Sequence, residues 1–388
     1  MKIAYVGDFI NHGKSLKTHG TSLVILLSTL DSVESIDVFC PRLNKEVEEF
    51  TIPPGVTIMD NYHYGSSLEI LKLIKVSWDK YDYVIFNILP TGFGDGSIIN
   101  GLGLLMPKII SHRAKDKSVE ILFHNSAFTN DIKTLGYNSL KDKFRLFFLK
   151  IIERALFKKI RSYVLLEVYK ERLVKSIRKN NIGVINSRYI EAISTLYINN
   201  ELNKEKIRKI RRDIPNILMH GYWGPQKNIE MGLSTLKNLR DKGYKFNLTV
   251  SGGINHHFPD FEDQFKKLLT KYELVVDEYL GSVNEREIFN LFMNTDLLLL
   301  PYNAPGGHSG VLEQAIFFEV QTVAIDFPEY EEQAKGISNV KLTSMDNFSN
   351  SVYEQIEALG HADNINVKEK ILEARDNIKK LIEYITIL

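Results

Sequence analysis

The segment Leu297–Ala324, LLLLPYNAPGGHSGVLEQAIFFEVQTVA, organises everything around it. Four consecutive leucines ending at Pro301 read as a buried strand, PGGHSG as a glycine-rich loop, and the run from Gly310 as a helix with Glu313 in its first turn. A second strand follows at QTVA. This order suits an anionic ligand, because glycine lets backbone approach closely and the first turn of a helix carries N–H groups without intrahelical partners. Gly306, Gly307, Ser309 and Gly310 offer such donors, with Val311 beside them, and Glu313 is close enough to accept hydrogen bonds from a ribose diol.

Outward from that segment, short apolar runs alternate with helical stretches in both directions. In the C-terminal half, strands are expected at Asn216–His220, Asn247–Ser251, Val275–Leu280, Asp296–Pro301 and Thr322–Ile325. In the N-terminal half they are expected at Lys2–Val6, Ile36–Phe39, Tyr83–Asn87, Val119–His124 and Ser162–Glu167. Alternation of this kind predicts parallel sheets covered by helices on both faces. With 388 residues the chain exceeds what one core usually supports. The expected division is a domain over 1–200, a charged linker over 201–214, a second domain over 215–366, and a helix over 367–388 that packs back on the first domain.

Bulk properties narrow the function. A net charge of +1 gives no footprint for nucleic acid. The single cysteine, Cys40, fits a reducing cytoplasm and reads as a small buried hydrophobe. The chain opens on strand-like MKIAYVGDF rather than a signal peptide, and no apolar run approaches the roughly 20 residues of a membrane span.

Three segments of the C-terminal half resemble family 4 glycosyltransferases of the GT-B fold. They are ILMHGYWGPQKNIEMGL, with Gly221 at a strand end and Lys227 before a helix; YLGSVNEREIFNLFMNTDLLLLPY; and the glycine loop with Glu313. The resemblance implies two tandem Rossmann-like, doubly wound parallel-sheet domains facing a central cleft. It implies transfer of a sugar from a nucleotide sugar such as a UDP- or GDP-sugar, with retention of configuration and without a metal or other cofactor.

In that family a Glu-x7-Glu pair places the second glutamate on the ribose and the first near the sugar. Glu313 matches the second, and Pro305 occupies the position of the first, leaving His308 or a loop amide to replace it. Tyr222 stands at the arginine-like position, so Lys227 alone would face the diphosphate. Gly20 resembles the family's glycine near the donor phosphate and acceptor. His124, closing VEILFH, resembles a histidine that contacts the donor sugar. His19 reads as an exposed loop histidine.

Two rival motifs fit less well. Gly7 to Ser15 has five residues between its glycines where a P-loop needs four, although Lys14 and Ser15 could serve a nucleotide-dependent enzyme of that kind. NILPTGFGDGS departs from GxGxxG. A third possibility is a non-catalytic sugar-binding scaffold, given the absent first glutamate.

Lys141–Arg161, KDKFRLFFLKIIERALFKKIR, carries eight Lys/Arg against two Asp/Glu, with Phe144, Phe147, Phe148, Ile151, Ile152 and Ala155 at helical spacing. It suits either an anionic membrane surface, placing the protein at the inner face of the cell membrane with a lipid-linked acceptor, or a core helix with a basic outer face. The acceptor is otherwise expected to be a glycan.

Overall fold

The computed structural model describes residues 1–9, 18–41, 50–62, 67–88, 97–114, 118–129, 139–178, 182–209, 213–255, 258–276, 278–281, 283–304, 307–359 and 364–383. Two compact units emerge. One contains the described residues up to Ser194 together with those from Leu372 to Glu383, and the other contains the described residues from Thr195 to Ile371.

The first unit comprises β1 (Lys2–Val6), α1 (Thr18–Ser28), β2 (Ser35–Pro41), β3 (Val56–Tyr62), α2 (Ser67–Ile70), β4 (Tyr83–Ile88), α3 (Ser97–Arg113), β5 (Ser118–Phe123), α4 (Leu140–Lys159), β6 (Arg161–Val164), α5 (Glu167–Ile177) and β7 (Ile182–Val184). Its seven strands lie in the order β3-β2-β1-β4-β5-β6-β7, all parallel. β4, YVIFNI, is buried along its whole length, as a central parallel strand covered on both faces must be.

After the boundary helix α6 (Ile193–Ile198) and strand β8 (Lys206–Arg208), the second unit comprises β9 (Asn216–His220), α7 (Ile229–Asp241), β10 (Asn247–Ser251), α8 (Phe261–Lys271), β11 (Glu278–Leu280), α9 (Glu285–Met293), β12 (Leu297–Leu300), α10 (Gly310–Phe317), β13 (Gln321–Ile325), α11 (Pro328–Gln333), β14 (Val340–Thr343), α12 (Phe348–Glu357) and β15 (Asn364–Asn366). The order β11-β10-β9-β12-β13-β14 is again wholly parallel. β9 and β12 are buried throughout, and each leucine of β12 contributes about 1.5–3 kcal/mol of apolar burial. α7 turns Ile229, Leu233, Leu236 and Leu239 inward at helical spacing. α9 starts with a capping box: Asn284 accepts from the N–H of Glu287, whose carboxylate accepts from the N–H of Asn284.

Several boundaries differ from expectation. The strand expected over Ser162–Glu167 stops at Val164, because α5 begins at Glu167. The strand expected from Val275 begins only at Glu278; Val275 itself is exposed. The stretch 201–214 is not a bare linker. Within it β8 pairs antiparallel with β15, burying Ile207 against Ile365, so this stretch belongs to the second unit. α13 (Val367–Glu383) starts in the second unit, and from Leu372 its residues group with the first, where Arg375 donates to the Thr29 carbonyl. Among the described residues no helix is long and apolar enough to cross a membrane.

Candidate functional site

In each sheet the strand order reverses between neighbours whose crossovers leave in opposite directions, and ligands of open α/β sheets bind outside such switch points. In the second unit the switch lies between β9 and β12. β9 delivers His220 and Gly221, β12 delivers Tyr302, and the loops that follow carry Lys227 and the glycine segment.

Gly221 sits where a side chain would meet resistance. A Cβ there would stand 3.0 Å from the Tyr302 hydroxyl and 3.6 Å from the Lys227 stem. Tyr302 is fixed by donating to the His220 carbonyl at 3.0 Å, and the Lys227 ammonium lies 3.6 Å from the centre of its ring. Asn303 ties the two loops together, its N–H donating to the Gln226 carbonyl at 3.0 Å. Lys227 has no carboxylate partner among the described residues, and burial of its ammonium pushes its pKa down to about 7. His220 is held neutral, its pKa lowered to about 4 by burial and then by Lys227, against the opposing pull of its hydrogen bond with Ser251.

The glycine segment forms the other wall. Ser309 caps α10, its Oγ accepting from the Leu312 N–H at 3.2 Å. The Ser309 N–H is already spent, donating to Gln333 Oε1 at 3.1 Å, which corrects the expectation that it serves an anion. Gly307 has φ 115°, and the N–H groups of Gly310 and Val311 open the helix without an acceptor among the described residues. Gly306 and Pro305 lie outside the described residues.

Glu313 is buried, and its Oε1 accepts from Gln333 Nε2 at 3.1 Å and pairs with His308 Nε2 at 3.3 Å. His308 therefore stands against the ribose-glutamate candidate itself. Tyr330, one turn before Gln333, packs edge-on against Tyr302 with ring centres 6.4 Å apart, joining this wall to the Lys227 wall.

In the first unit the switch lies between β1 and β4. Here Gly20 and His124 meet around Asn87. Asn87 Nδ2 donates to the Tyr5 hydroxyl at 2.8 Å, which leaves Oδ1 to accept from His124 Nε2 at 2.6 Å. That assignment places the proton of neutral His124 on Nε2. A Cβ on Gly20 would lie 2.2 Å from the Asp8 carbonyl, so packing alone demands glycine there. His19 is buried, not exposed, with its ring edge-on to His124 at 4.1 Å.

Four residues of these clusters went unread in the sequence: Tyr302, Gln333, Asn87 and His220. Tyr302 and His220 each follow or end an apolar strand, the position that marked His124. Gln333 gives no local signal, since its partners are 24 and 20 residues away. Lys14 and Ser15 of the P-loop-like stretch, and the NILPTGFGDGS glycines from Thr91 to Gly96, lie outside the described residues.

Two parallel doubly wound sheets of this order define the GT-B architecture. Several solved structures share it along the whole chain. Anabaena HepE in complex with UDP and glucose matches with a TM-score of 0.65 and 14% identity over 100% of both chains. Sucrose-phosphate synthase from Thermosynechococcus elongatus matches at 0.63 and 11%, covering 98% of this chain and 94% of that one. UDP-GlcNAc 2-epimerase from Neisseria meningitidis bound to UDP-GlcNAc matches at 0.54 and 14%, over 100% of both. At such identities the likeness is one of fold. No protein-family model and no curated protein sequence matches the chain.

Proposed function

We propose that this protein is a glycosyltransferase that takes a sugar from a nucleotide-sugar donor held by the second unit. One observation carries the reading: a half-buried lysine with no carboxylate partner among the described residues, Lys227, shares a switch point with a buried carboxylate, Glu313, and an open helix N-terminus. A cation without a carboxylate partner is complementary to a diphosphate, and a carboxylate one turn into the helix is complementary to a ribose diol.

In the reaction, the acceptor hydroxyl oxygen bonds to the anomeric carbon as the bond from that carbon to the diphosphate oxygen breaks; the diphosphate leaves with the electron pair, and its phosphate oxygen takes the acceptor's proton. Lys227 and the N–H groups of Gly307, Gly310 and Val311 neutralise the charge that develops there. Gly221 keeps the path to that oxygen open. Glu313 anchors the ribose, His308 or a loop amide stands in for the absent first glutamate, and His124, whose Nε2–H donates to Asn87 Oδ1, is the first unit's residue for orienting the sugar. Lys227 does the charge work that a metal performs elsewhere, so the proposal includes no resident metal or cofactor.

The donor is a UDP-sugar on this reading, because the similar HepE and epimerase structures hold UDP or a UDP-sugar. Retention of configuration follows from the resemblance to family 4, and the acceptor is a glycan or lipid-linked sugar met at the inner face of the cell membrane. The exposed face of α4 supports the membrane side of this reading.

The test is nucleotide release from a panel of nucleotide sugars, with and without lipid-linked and glycan acceptors. Acceptor-dependent release from one donor supports transfer. Release from none points to the scaffold reading, and conversion of the free donor sugar without release points to an epimerase on the same fold.

A further inference from the structure

The first unit exposes one surface that its own packing leaves unexplained. α4 buries Ile152, Leu156 and Phe157, the last with its ring 4.6 Å from that of Phe123, yet leaves Leu140 84% exposed, Phe144 73%, Phe147 63%, Ile151 52% and Phe148 45%. A helix turns about 100° per residue, so these five side chains fall within a single arc of roughly 100°. Five of the twelve large exposed hydrophobic residues among those described thus share twelve positions of one helix. A monomer in water rarely leaves so compact an apolar patch uncovered.

Charge selects what covers it. Lys141, Lys143, Arg154, Lys158 and Lys159 border the stripe and are exposed, and no acidic residue from Phe144 to Lys159 faces outward. The only carboxylate in that span, Glu153, is fully buried and accepts from Ser126 Oγ at 2.6 Å and from the Ala127 N–H at 2.9 Å. A greasy stripe edged by cations matches the boundary of an anionic bilayer, where aromatic and aliphatic side chains enter the acyl region and lysines meet headgroups. A second copy of this chain would set lysines against lysines.

Direction gives the surface its meaning. β5 and β6 are parallel, so α4 runs antiparallel to both, and the exposed stripe from Leu140 to Ile151 occupies the half of the helix at the carboxyl ends of the strands. That is the end where His124 lies, and Glu153 pins the loop two residues after His124 directly to α4.

We propose that α4 docks this protein on anionic membranes, with Leu140, Phe144, Phe147, Phe148 and Ile151 entering the interface, which brings the His124 end of the first unit beside the lipid. Docking stands apart from the transfer reading; only the consequence that the acceptor is membrane-borne rests on it.

Sedimentation of the full chain with phosphatidylcholine vesicles, and with vesicles containing 30% phosphatidylglycerol, tests the proposal. Wild type should bind the anionic vesicles at least about tenfold more tightly than the neutral ones, and less tightly at high salt. Phe144→Glu/Phe147→Glu should lose roughly tenfold or more of that binding. Lys141→Glu/Lys143→Glu should bind the two vesicle types about equally. Both variants change exposed side chains, and an unaltered melting temperature and UDP-induced shift confirm that they fold. Failure of wild type to bind anionic vesicles overturns the proposal, as does undiminished binding by the phenylalanine variant. So does a wild-type dimer that the phenylalanine variant breaks in the absence of lipid. Vesicle binding without any UDP-induced shift would uphold docking and refute the donor reading.

Discussion

Lys227 makes the most exposed claim at the residue scale, because its charge state and its proposed duty are linked. Its pKa stands at about 7, and a diphosphate beside the ammonium would raise it. Binding therefore takes up a proton above pH 7. UDP affinity should fall as pH rises from 7 toward 9, by up to about tenfold per pH unit, and this slope should vanish in Lys227→Met. Calorimetric titration in buffers of different ionisation enthalpy reads both affinity and proton uptake; a flat wild-type profile removes Lys227 from the diphosphate. Gln333 makes a second claim at this scale. Gln333→Ala strips the Ser309 N–H and Glu313 Oε1 of a buried partner, at a cost of about 1–3 kcal/mol measurable in urea. UDP affinity should drop with it by about tenfold, since a looser Glu313 no longer awaits the ribose. Glu313 and Lys227 stand out as candidates in the sequence because strand ends, glycines and charge stand beside them. Gln333 and Asn87 do not, because their roles arise from hydrogen bonds between segments brought together only by folding.

Elements explain how such side chains stay in place. Gly252, in the loop after β10, has φ 114°, and a Cβ on it would lie 1.8 Å from the Gly221 carbonyl. Gly252→Ala should cost more than about 2 kcal/mol and displace Gly221 from beside Lys227, weakening UDP more than a remote mutation of equal destabilisation. In the first unit the Glu153 carboxyl that joins α4 to the loop after β5 is pushed up to about 7 by burial, against the pull of Ser126, Ala127 and Lys150. Its folded pKa exceeds the ordinary 4.5, so the stability it contributes is complete below pH 4.5 and is lost as pH rises through 7. Glu153→Gln keeps one acceptor oxygen, which Ser126 and Ala127 can share, and should flatten stability across that window by up to about 1.4 kcal/mol per pH unit in urea titrations. The apolar strands around both sites were readable from continuous hydrophobic runs. β3, β7, β14 and β8 were missed because each is short or mixes charged with apolar residues, and β8 is strand only by virtue of β15, some 150 residues away.

For the whole molecule, two parallel sheets with clusters at their switch points were foreseeable from alternating periodicity, whereas the placement of the unit boundaries was not. The charged run over 201–214 looks like a linker in sequence, but Ile207 is claimed by the second unit, and the crossing falls instead within α6 and α13. The central claim, that the second unit grips a nucleoside diphosphate between Lys227 and Glu313, is tested most directly by thermal melting of wild type, Lys227→Met and Glu313→Ala with UDP, GDP and ADP in parallel. A ligand at 100 times its Kd adds about 2.7 kcal/mol to the folded state it binds. One of the nucleotides, UDP on the reading above, should raise the wild-type melting temperature by several degrees, and both variants should lose most of that rise. Equal stabilisation of wild type and both variants, or none by any nucleotide, contradicts the account.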